Sequence, residues 1–268
     1  MGEGLIGETL VHLSVAASTN DVAKHLAETG CREGTAVLAD FQTSGRGRLG
    51  RKWDAPARSS LLLSVVFRPN LAPAELQWLT MLCGLAVVDA VRSETGITAG
   101  LKWPNDVVYN GAKLGGVLAE ATVRGERVDS CIIGLGLNLN LDPHHLPPGL
   151  AMPATSLSNE LGRPVSLASL LERLLCAVEG RYAALSQGQT PWSEWAEHLE
   201  TLGKAVNISS GGGQQSGFAV GVDQDGALRV RLSDGRLTRV VAEDVSLRGE
   251  LGWRQPGRSA IMRLDRAE

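Results

Sequence analysis

Residues 44–53, SGRGRLGRKW, place several cationic side chains within a glycine-rich stretch. Glycine lets the backbone approach a ligand closely, and arginine offers paired donors to carboxylate or phosphate oxygens. The glycines and cations are Gly45, Arg46, Gly47, Arg48, Gly50, Arg51 and Lys52. This chemistry indicates an anion-binding loop, and a solvated basic turn is the alternative.

Two nucleotide-binding motifs resemble this stretch only in their letters. A dinucleotide-binding GxGxxG opens a helix and has an acidic residue about 20 positions later. Here RKWDAPARSS follows, with a proline and without helical spacing of apolar residues, and no acid lies near position 70. A P-loop requires Lys and then Ser or Thr after its last glycine, but Arg51 and Lys52 follow Gly50. Both interpretations therefore fail.

The composition is typical of a folded protein and argues against binding polyanions over the whole molecule. The 268 residues carry a net charge of -3, and 43% are hydrophobic while 21% are charged. An acidic chain is a poor general ligand for nucleic acid, although a local basic patch is compatible with it. The arginines must therefore be judged by their local context.

The cysteines and the N-terminal residues predict a cytoplasmic location. Cys31, Cys83, Cys131 and Cys176 are far apart and form no CxxC, so we expect buried thiols rather than a zinc site or disulfides. The first 14 residues, MGEGLIGETLVHLS, lack a basic region and a long apolar run, and no stretch of about 18 uncharged apolar residues follows. We expect neither a signal peptide nor a membrane span.

The basic loop is predicted to connect two strands. A helix is expected to begin with Ser18 as its N-cap and to end at Gly30. Residues 35–41, TAVLADF, and 60–67, SLLLSVVF, are continuous apolar runs typical of buried strands. The loop lies between these two runs.

The following segments predict helices packed on a sheet. Helices are predicted for residues 73–94, 166–186 and 191–202, and Pro191 is expected to begin the last of them. A strand is predicted for residues 131–140. Within 101–123, Asn110-Gly111 predicts a two-residue hairpin turn. Such a turn would pair Val108 with Lys113 and Asp106 with Gly115, so Asp106 and Lys113 would share one face of the sheet.

The residues after Gly203 differ in pattern and predict a separate small unit. Short alternating runs are divided by glycine-rich and aspartate-rich segments, which indicates a small β-barrel of about 45 residues packed on the larger domain. We expect domains at 1–202 and 203–249, a tail at 250–268, and a turn at GGGQQSG, residues 211–217.

Five segments in order resemble the biotin protein ligases, which attach biotin to carboxylase carrier domains. They are STN (18–20), QxxGRGRxGRxW (42–53), KWPND (102–106), KLGG (113–116) and GLGLNLN (134–140). The resemblance implies an α+β fold: a mixed-sheet catalytic domain like that of class II aminoacyl-tRNA synthetases and biotin/lipoate ligases, followed by a small SH3-like barrel. Because the resemblance begins near Met1, we expect the form without an N-terminal helix-turn-helix repressor domain.

The resemblance also implies the reaction and its participants. ATP, with Mg²⁺ carried mainly by its phosphates, would activate biotin to biotinyl-5′-AMP, and the biotin would pass to a lysine of a biotin carboxyl carrier domain. No protein-only metal site and no DNA-binding module are expected. Relatives that dimerise through the catalytic sheet make a homodimer the expected assembly.

Residue roles follow from the same resemblance. Lys113 would hold the biotin carboxylate, Asp106 would orient or deprotonate the carrier lysine, and Arg48 would complete the catalytic set. The biotin site would comprise Ser18, Thr19, Asn20, Gln42, Gly45, Arg46, Gly47, Arg48, Lys113 and Gly116. The ATP and adenylate site would comprise Arg48, Arg51, Trp53, Lys102, Asn105 and Asn138. Trp53 could equally belong to the core.

The segment Arg46–Arg48 would belong to a lid over the adenylate, expected to be poorly ordered without ligand because its like charges have no counter-anion.

Two other functions are compatible with parts of the sequence. A lipoate or octanoate ligase would share the fold, but its usual double arginine followed by a glycine run is absent. A nucleic-acid or effector-binding regulator would use the arginines as a phosphate-binding patch, but it would not require Lys113 or KWPND.

Two further features are assigned no site role. Arg58 is an added charge beyond the arginine loop, and His144-His145 is interpreted as part of a loop rather than as a ligand pair.

Overall fold

The fold is built on a seven-stranded mixed sheet in the order β1-β2-β3-β7-β6-β5-β4. The computed structural model describes residues 5–125, 127–145, 150, 152–210, 213–241 and 244–247. Strands β1 and β2 are parallel, and all other neighbours are antiparallel. The strands are β1 Leu10–Leu13, β2 Ala36–Ala39, β3 Ser60–Phe67, β4 Gly100–Lys102, β5 Asp106–Tyr109, β6 Ala112–Arg124 and β7 Arg127–Asn138.

The apolar runs form the centre of this sheet, as predicted. Every residue of β2 and β3 is buried, because both strands are covered on two faces. A continuous apolar run is the pattern expected of such strands. The short edge strands β1 and β4 were not predicted, since three or four residues give too little periodicity to distinguish a strand from a loop.

The predicted hairpin is confirmed, but its register differs by one residue beyond the turn. Asn110 and Gly111 have positive φ angles of 49° and 76°, and Val108 pairs with Lys113 as expected. A β-bulge between Val107 and Val108 then places Asp106 opposite Gly116 instead of Gly115. An extra residue in one strand cannot be seen in the alternation pattern.

Five helices are described: α1 Thr19–Glu28, α2 Gln77–Thr95, α3 Leu157–Leu161, α4 Leu167–Ser186 and α5 Trp192–Glu197. Helix α5 is shorter than predicted because residues 198–200 bond to β4 instead: Leu101 donates to the His198 carbonyl, and Glu200 donates to the Leu101 carbonyl. Ser18 occupies the N-cap position of α1, but its side chain makes no capping hydrogen bond, contrary to expectation.

Helix α2 is the centre of the main core. Twelve of its residues are buried, and it packs against α4 and the sheet. The segment Pro73–Thr95 is long and apolar enough to cross a membrane by length and composition, but most of it is buried inside the protein, as in a core helix. Cys83 and Cys131 are buried free thiols, Cys31 is partly buried and Cys176 is exposed, so the expectation of buried thiols was wrong for Cys176 and only partly met for Cys31.

A second, five-stranded antiparallel sheet follows, in the order β11-β10-β9-β8-β12. Its strands are β8 Ala205–Ser210, β9 Gly213–Val222, β10 Leu228–Leu232, β11 Leu237–Val240 and β12 Asp244–Leu247. The predicted turn at 211–217 was wrong for Gly213–Gly217, which pair with β8. Cross-strand pairing overrides the turn preference of glycine there.

Three indole hydrogen bonds connect the second sheet to α2, to α5 and to the segment between β4 and β5. Trp78, Trp192 and Trp103 donate their Nε1 hydrogens to the carbonyls of Gln224, Val222 and Gly226 at 2.9, 3.2 and 2.7 Å. All three acceptors lie at the β9–β10 connection. The predicted domain limits stay predictions, and the tail lies outside the described residues.

Candidate active site

A cavity of about 710 Å³ opens between the main sheet and the arginine loop, residues 45–53. Its size lies in the usual range for small-molecule sites. Every residue predicted for the site lines it except Gly45: these are Ser18, Thr19, Asn20, Gln42, Arg46, Gly47, Arg48, Arg51, Trp53, Lys102, Asn105, Asp106, Lys113, Gly116 and Asn138. Asn20 and Asn105 therefore line the same cavity although 85 positions separate them in the sequence.

Buried polar groups form one end of the cavity at the start of α1. The backbone N–H of Thr19 donates to Gln42 Oε1 at 2.7 Å, and the Thr19 hydroxyl donates to the same oxygen at 3.1 Å. The Ser64 hydroxyl lies 2.6 Å from Asn20 Oδ1 and 2.8 Å from Thr19 Oγ1. These neutral donors and acceptors suit an uncharged polar ligand group.

The arginine loop is closed at its base by backbone hydrogen bonds. Trp53 N–H donates to the Gly45 carbonyl at 2.9 Å, and Gly47 N–H donates to the Arg51 carbonyl at 2.7 Å. A Cβ at position 45 would collide with the Trp53 backbone oxygen, so glycine is needed there for the loop to close. Gly45 itself does not line the cavity. Residues 48–50 form one 3-10 turn and no α-helix, which agrees with rejection of the dinucleotide motif.

Arg46 has carboxylate partners in this structure. Its guanidinium donates to both oxygens of Asp21 at 2.7 and 2.6 Å, and to Glu120 at 3.2 Å. The hydrogen bonds from Arg46 lower the pKa of Asp21. The premise that the loop cations lack counter-anions was therefore wrong for Arg46, while the mobility predicted from it stays a prediction.

Lys113 and Asp106 form an ion pair on the floor of the cavity. The Nζ of Lys113 lies 2.5 Å from Asp106 Oδ1. The shared face predicted from the hairpin is observed despite the changed register. A Cβ on Gly116 would lie 3.4 Å from the same Asp106 oxygen and 3.5 Å from Lys113 Nζ, so Gly116 leaves room beside the pair.

The predicted nucleotide residues surround the other end. Asn105 donates to the Val117 carbonyl at 2.6 Å and accepts from Arg48 at 3.4 Å. Lys102 Nζ lies 3.7 Å from Met152 Sδ, and Asn138 donates to the Thr155 carbonyl at 3.0 Å. Arg51 lines the cavity as well.

Trp53 forms a wall of the cavity and is half-buried. Its indole lies over Gly136, where a Cβ would be 2.8 Å from the ring, and Lys113 Nζ lies 5.8 Å from the ring centroid. Within the described part of the chain, Trp53 Nε1 is a buried donor with no hydrogen-bond partner. The core alternative is not supported, because the ring lines the cavity.

Arg58 does not join the loop. Its Nε lies 3.0 Å from Asp40 Oδ2, and 79% of its side chain is exposed. Together with His12, it lowers the pKa of Asp40, and His12 has the larger effect. His144 and His145 lie in a 3-10 turn, Pro143–His145.

Sequence reasoning missed several residues of the site. Asp21 and Glu120 contact Arg46 from 25 and 74 positions away. Ser64 lies in the middle of an apolar strand, where its polar side chain was the available clue. Leu118, Gly134 and Gly136 also line the cavity.

Comparisons with known proteins define the class to which this fold and site belong. Residues 13–138 match the biotin/lipoate A/B protein ligase family, and residues 201–248 match the biotin protein ligase C-terminal domain. The structure superposes on the Aquifex aeolicus biotin protein ligase in complex with biotin and ATP. The TM-score is 0.73 at 30% identity, and 90% of this chain and 99% of that one are covered.

Curated relatives narrow this class to one family. The bifunctional ligase/repressor BirA of Bacillus subtilis is 34% identical over 248 residues, covering 91% of this chain and 75% of the relative. The biotin--[acetyl-CoA-carboxylase] ligase of Mycobacterium tuberculosis is 32% identical over 252 residues, covering 91% of each chain. The chain belongs to the biotin protein ligase family, and this membership supports biotin ligation over the lipoate and nucleic-acid alternatives.

Proposed function

We propose that this protein activates biotin with ATP and transfers it to a carrier lysine. The observation that carries the proposal is the Lys113–Asp106 pair, which lies in the same cavity as the neutral polar groups of residues 18–20. One end can bind the uncharged ureido group of biotin while the other binds its carboxylate. The cavity volume is sufficient for a ligand of this size.

In the first step, a biotin carboxylate oxygen attacks the α-phosphorus of ATP and pyrophosphate leaves. Lys113 holds the carboxylate and then a phosphate oxygen, a form of charge stabilisation that dominates phosphoryl and adenylyl transfer. A biotin carboxylate that binds the Lys113 ammonium competes with Asp106. Binding of biotin therefore releases Asp106 for the second step.

In the second step, the carrier lysine nitrogen attacks the biotinyl carbonyl carbon, an amide bond forms and AMP leaves. The attacking amine must lose a proton, and a free lysine has a pKa near 10.4, so it arrives mostly charged. Asp106 is the carboxylate beside Lys113 that can orient the amine and accept the proton.

The triphosphate is proposed to lie against the cationic end of the cavity. Arg48, Arg51 and Lys102 supply positive charge there, Asn105 and Asn138 supply amides, and Trp53 offers an aromatic face. Among the described residues, no group of three or more His, Cys, Asp or Glu side chains could hold a metal ion. A Mg²⁺ ion would therefore be held mainly by the ATP phosphates and water, and it would offset the phosphate charge.

The partners and the location are proposals of the same kind. A biotin carboxyl carrier domain is the proposed acceptor, a homodimer formed through the main sheet is the proposed assembly, and the cytoplasm is the proposed location. The free thiols Cys83 and Cys131 support a reducing compartment.

The direct test offers the protein MgATP, biotin or lipoate, and a biotin carrier domain, and the carrier is then weighed by mass spectrometry. A biotin-sized mass increase supports the proposal. An increase with lipoate instead, or no increase together with salt-sensitive binding to DNA or RNA, would overturn it.

A further inference from the structure

Arg46 is held between two carboxylates from different elements, and we call Arg46, Asp21 and Glu120 the arginine clamp. Asp21 on α1 binds the guanidinium with both oxygens at 2.7 and 2.6 Å. Arg46 Nη2 also donates to the two carboxylate oxygens of Glu120 on β6, at 3.2 and 3.3 Å. The paired geometry with Asp21 is the stronger kind of arginine–carboxylate contact. The clamp ties the start of the arginine loop to the helix and to the sheet.

Glu120 has a second contact, which reaches the polar end of the cavity. Asn20 Nδ2 donates to Glu120 Oε2 at 2.7 Å. Because an ionised carboxylate only accepts hydrogen bonds, Asn20 must direct its amide nitrogen toward Glu120. Its amide oxygen then faces the Ser64 hydroxyl at 2.6 Å. Glu120 thus sets which way the buried Asn20 amide points.

The charges of the clamp indicate which part of a ligand it can face. One guanidinium and two carboxylates sum to a net charge of -1, and such a cluster repels an anion. A neutral polar group is therefore the suitable neighbour. Glu120 reaches the neutral groups of Ser64 and Thr19 through Asn20, and on β6 it lies four residues beyond Gly116, which pairs with Asp106.

We propose that Glu120 is a positioning residue for biotin: it orients Asn20 toward the ureido group and, through Arg46, holds the base of the arginine loop against the pocket. This proposal rests on the proposed function, because biotin is the ligand it assumes. Glu120 does not line the cavity and acts through Asn20 and Arg46.

Kinetics of three variants test the proposal against a matched control. Glu120→Ala loses both contacts, Glu120→Gln keeps an acceptor for Asn20 but loses the charge facing Arg46, and Asp21→Asn weakens only the hold on Arg46. Asp129→Asn removes a carboxylate of the neighbouring strand β7, where Asp129 pairs with Arg124. All four variants are assayed for carrier biotinylation with biotin and ATP varied separately.

Glu120→Ala is expected to raise the biotin KM by about tenfold, the size of one lost charge-assisted hydrogen bond. The ATP KM and kcat should change less than the biotin KM, because Asn20 lies at the polar end of the cavity and only the base of the arginine loop links Glu120 to the ATP end. Glu120→Gln and Asp21→Asn should raise the biotin KM less, and Asp129→Asn should not change it. An unchanged biotin KM in Glu120→Ala, or an equal fall in kcat in all variants, would overturn the proposal.

Trypsin cleavage of the ligand-free proteins gives a readout that does not depend on activity. Trypsin cuts after arginine and lysine, and a released loop base should expose the bonds after Arg46, Arg48 and Arg51. Asp21→Asn and Glu120→Ala are expected to be cut faster there than the parent protein or Asp129→Asn. Equal cutting rates would refute the clamp even if the parent biotinylates its carrier, whereas absence of biotinylation with faster cutting would refute only the proposed function.

Discussion

The two charged segments that border the cavity are held in different ways. The arginine loop closes on itself through backbone hydrogen bonds and is linked to α1 and β6 by the ion pairs of Arg46, and at its tip Leu49 is 63% exposed with a φ of 57°. The KWPND segment, residues 102–106, is anchored by buried groups: Trp103 is 2% exposed, and its backbone N–H donates to Thr201 Oγ1 at 2.9 Å.

This difference assigns separate tasks to the two segments. Partly exposed ion pairs contribute little to stability and weaken with salt, so the loop can rearrange around a ligand at low cost. Buried hydrogen bonds are costly to break, so the KWPND segment keeps its charges at fixed positions. We therefore expect the floor of the cavity to position the reacting groups and the loop to cover them.

Lys113→Ala tests the fixed floor most severely. Removal of the ammonium should lower adenylate formation by about 10² to 10³-fold, as for loss of a transition-state donor, while the fold stays intact. Pyrophosphate release measures the effect, and circular dichroism checks the fold. Arg48→Ala, in the loop, should also lower adenylate formation, but less. If pyrophosphate release is unchanged in both variants, the assigned roles are wrong.

Gly136→Ala tests the contact between the floor and the end of the loop. The new methyl group would lie 2.8 Å from the Trp53 ring, so the indole must move or the strand must shift. We expect a loss of about 1 to 3 kcal/mol in the free energy of unfolding and a raised ATP KM. Gly221→Ala is the control, because nothing lies within 4 Å of a Cβ at Gly221. Equal effects of the two substitutions would contradict the packing argument.

Trp103→Phe separates anchoring of the KWPND segment from docking of the second sheet. It removes the 2.7 Å hydrogen bond to the Gly226 carbonyl and leaves that acceptor unpaired. The expected cost is about 1 to 3 kcal/mol in chemical denaturation. Trp78→Phe removes a similar bond to Gln224 in the same connection but does not line the cavity. Only Trp103→Phe should raise the ATP KM. If the ATP KM rises in Trp78→Phe as well, the effect comes from weaker docking of the second sheet and not from the KWPND segment.

Arg58→Ala should have the smallest effect of the set. The side chain is largely exposed and lies outside the cavity, so the KM values for biotin and ATP should be unchanged. The pKa of Asp40 should rise only partly, because His12 is the larger cause of its lowering. A carboxyl whose pKa is lowered in the folded state stabilises the fold at pH values above its unfolded-state pKa. This stabilisation is lost as the pH falls through the folded-state pKa. NMR titration of Asp40 measures the change.

The sequence predicted the central strands and the hairpin because their signals are local. Residues 60–67 are mostly apolar, and Asn110-Gly111 has the φ preferences of its turn. Motif order then predicted a set of site residues, all of which line the cavity except Gly45. Each of these inferences required only neighbouring residues or the order of segments.

The missed features depend on contacts between distant parts of the chain. Residues 213–217 became a strand because β8 offered a partner, and α5 ended early because residues 198–200 bond to β4. Asp21 and Glu120 are ordinary surface-type carboxylates until the fold brings Arg46 between them. No local pattern encodes such pairings.

The position of Trp53 gives the molecule an intrinsic optical reporter. The protein has six tryptophans, of which five lie within the described residues, and Trp53 and Trp103 are the two of these five that line the cavity. Trp53 combines a nearby lysine cation with an indole N–H that lacks a partner among the described residues. Indole fluorescence responds to both local charge and hydrogen bonding. A ligand that draws Lys113 away from the ring should therefore change the emission of the unlabelled protein as it binds.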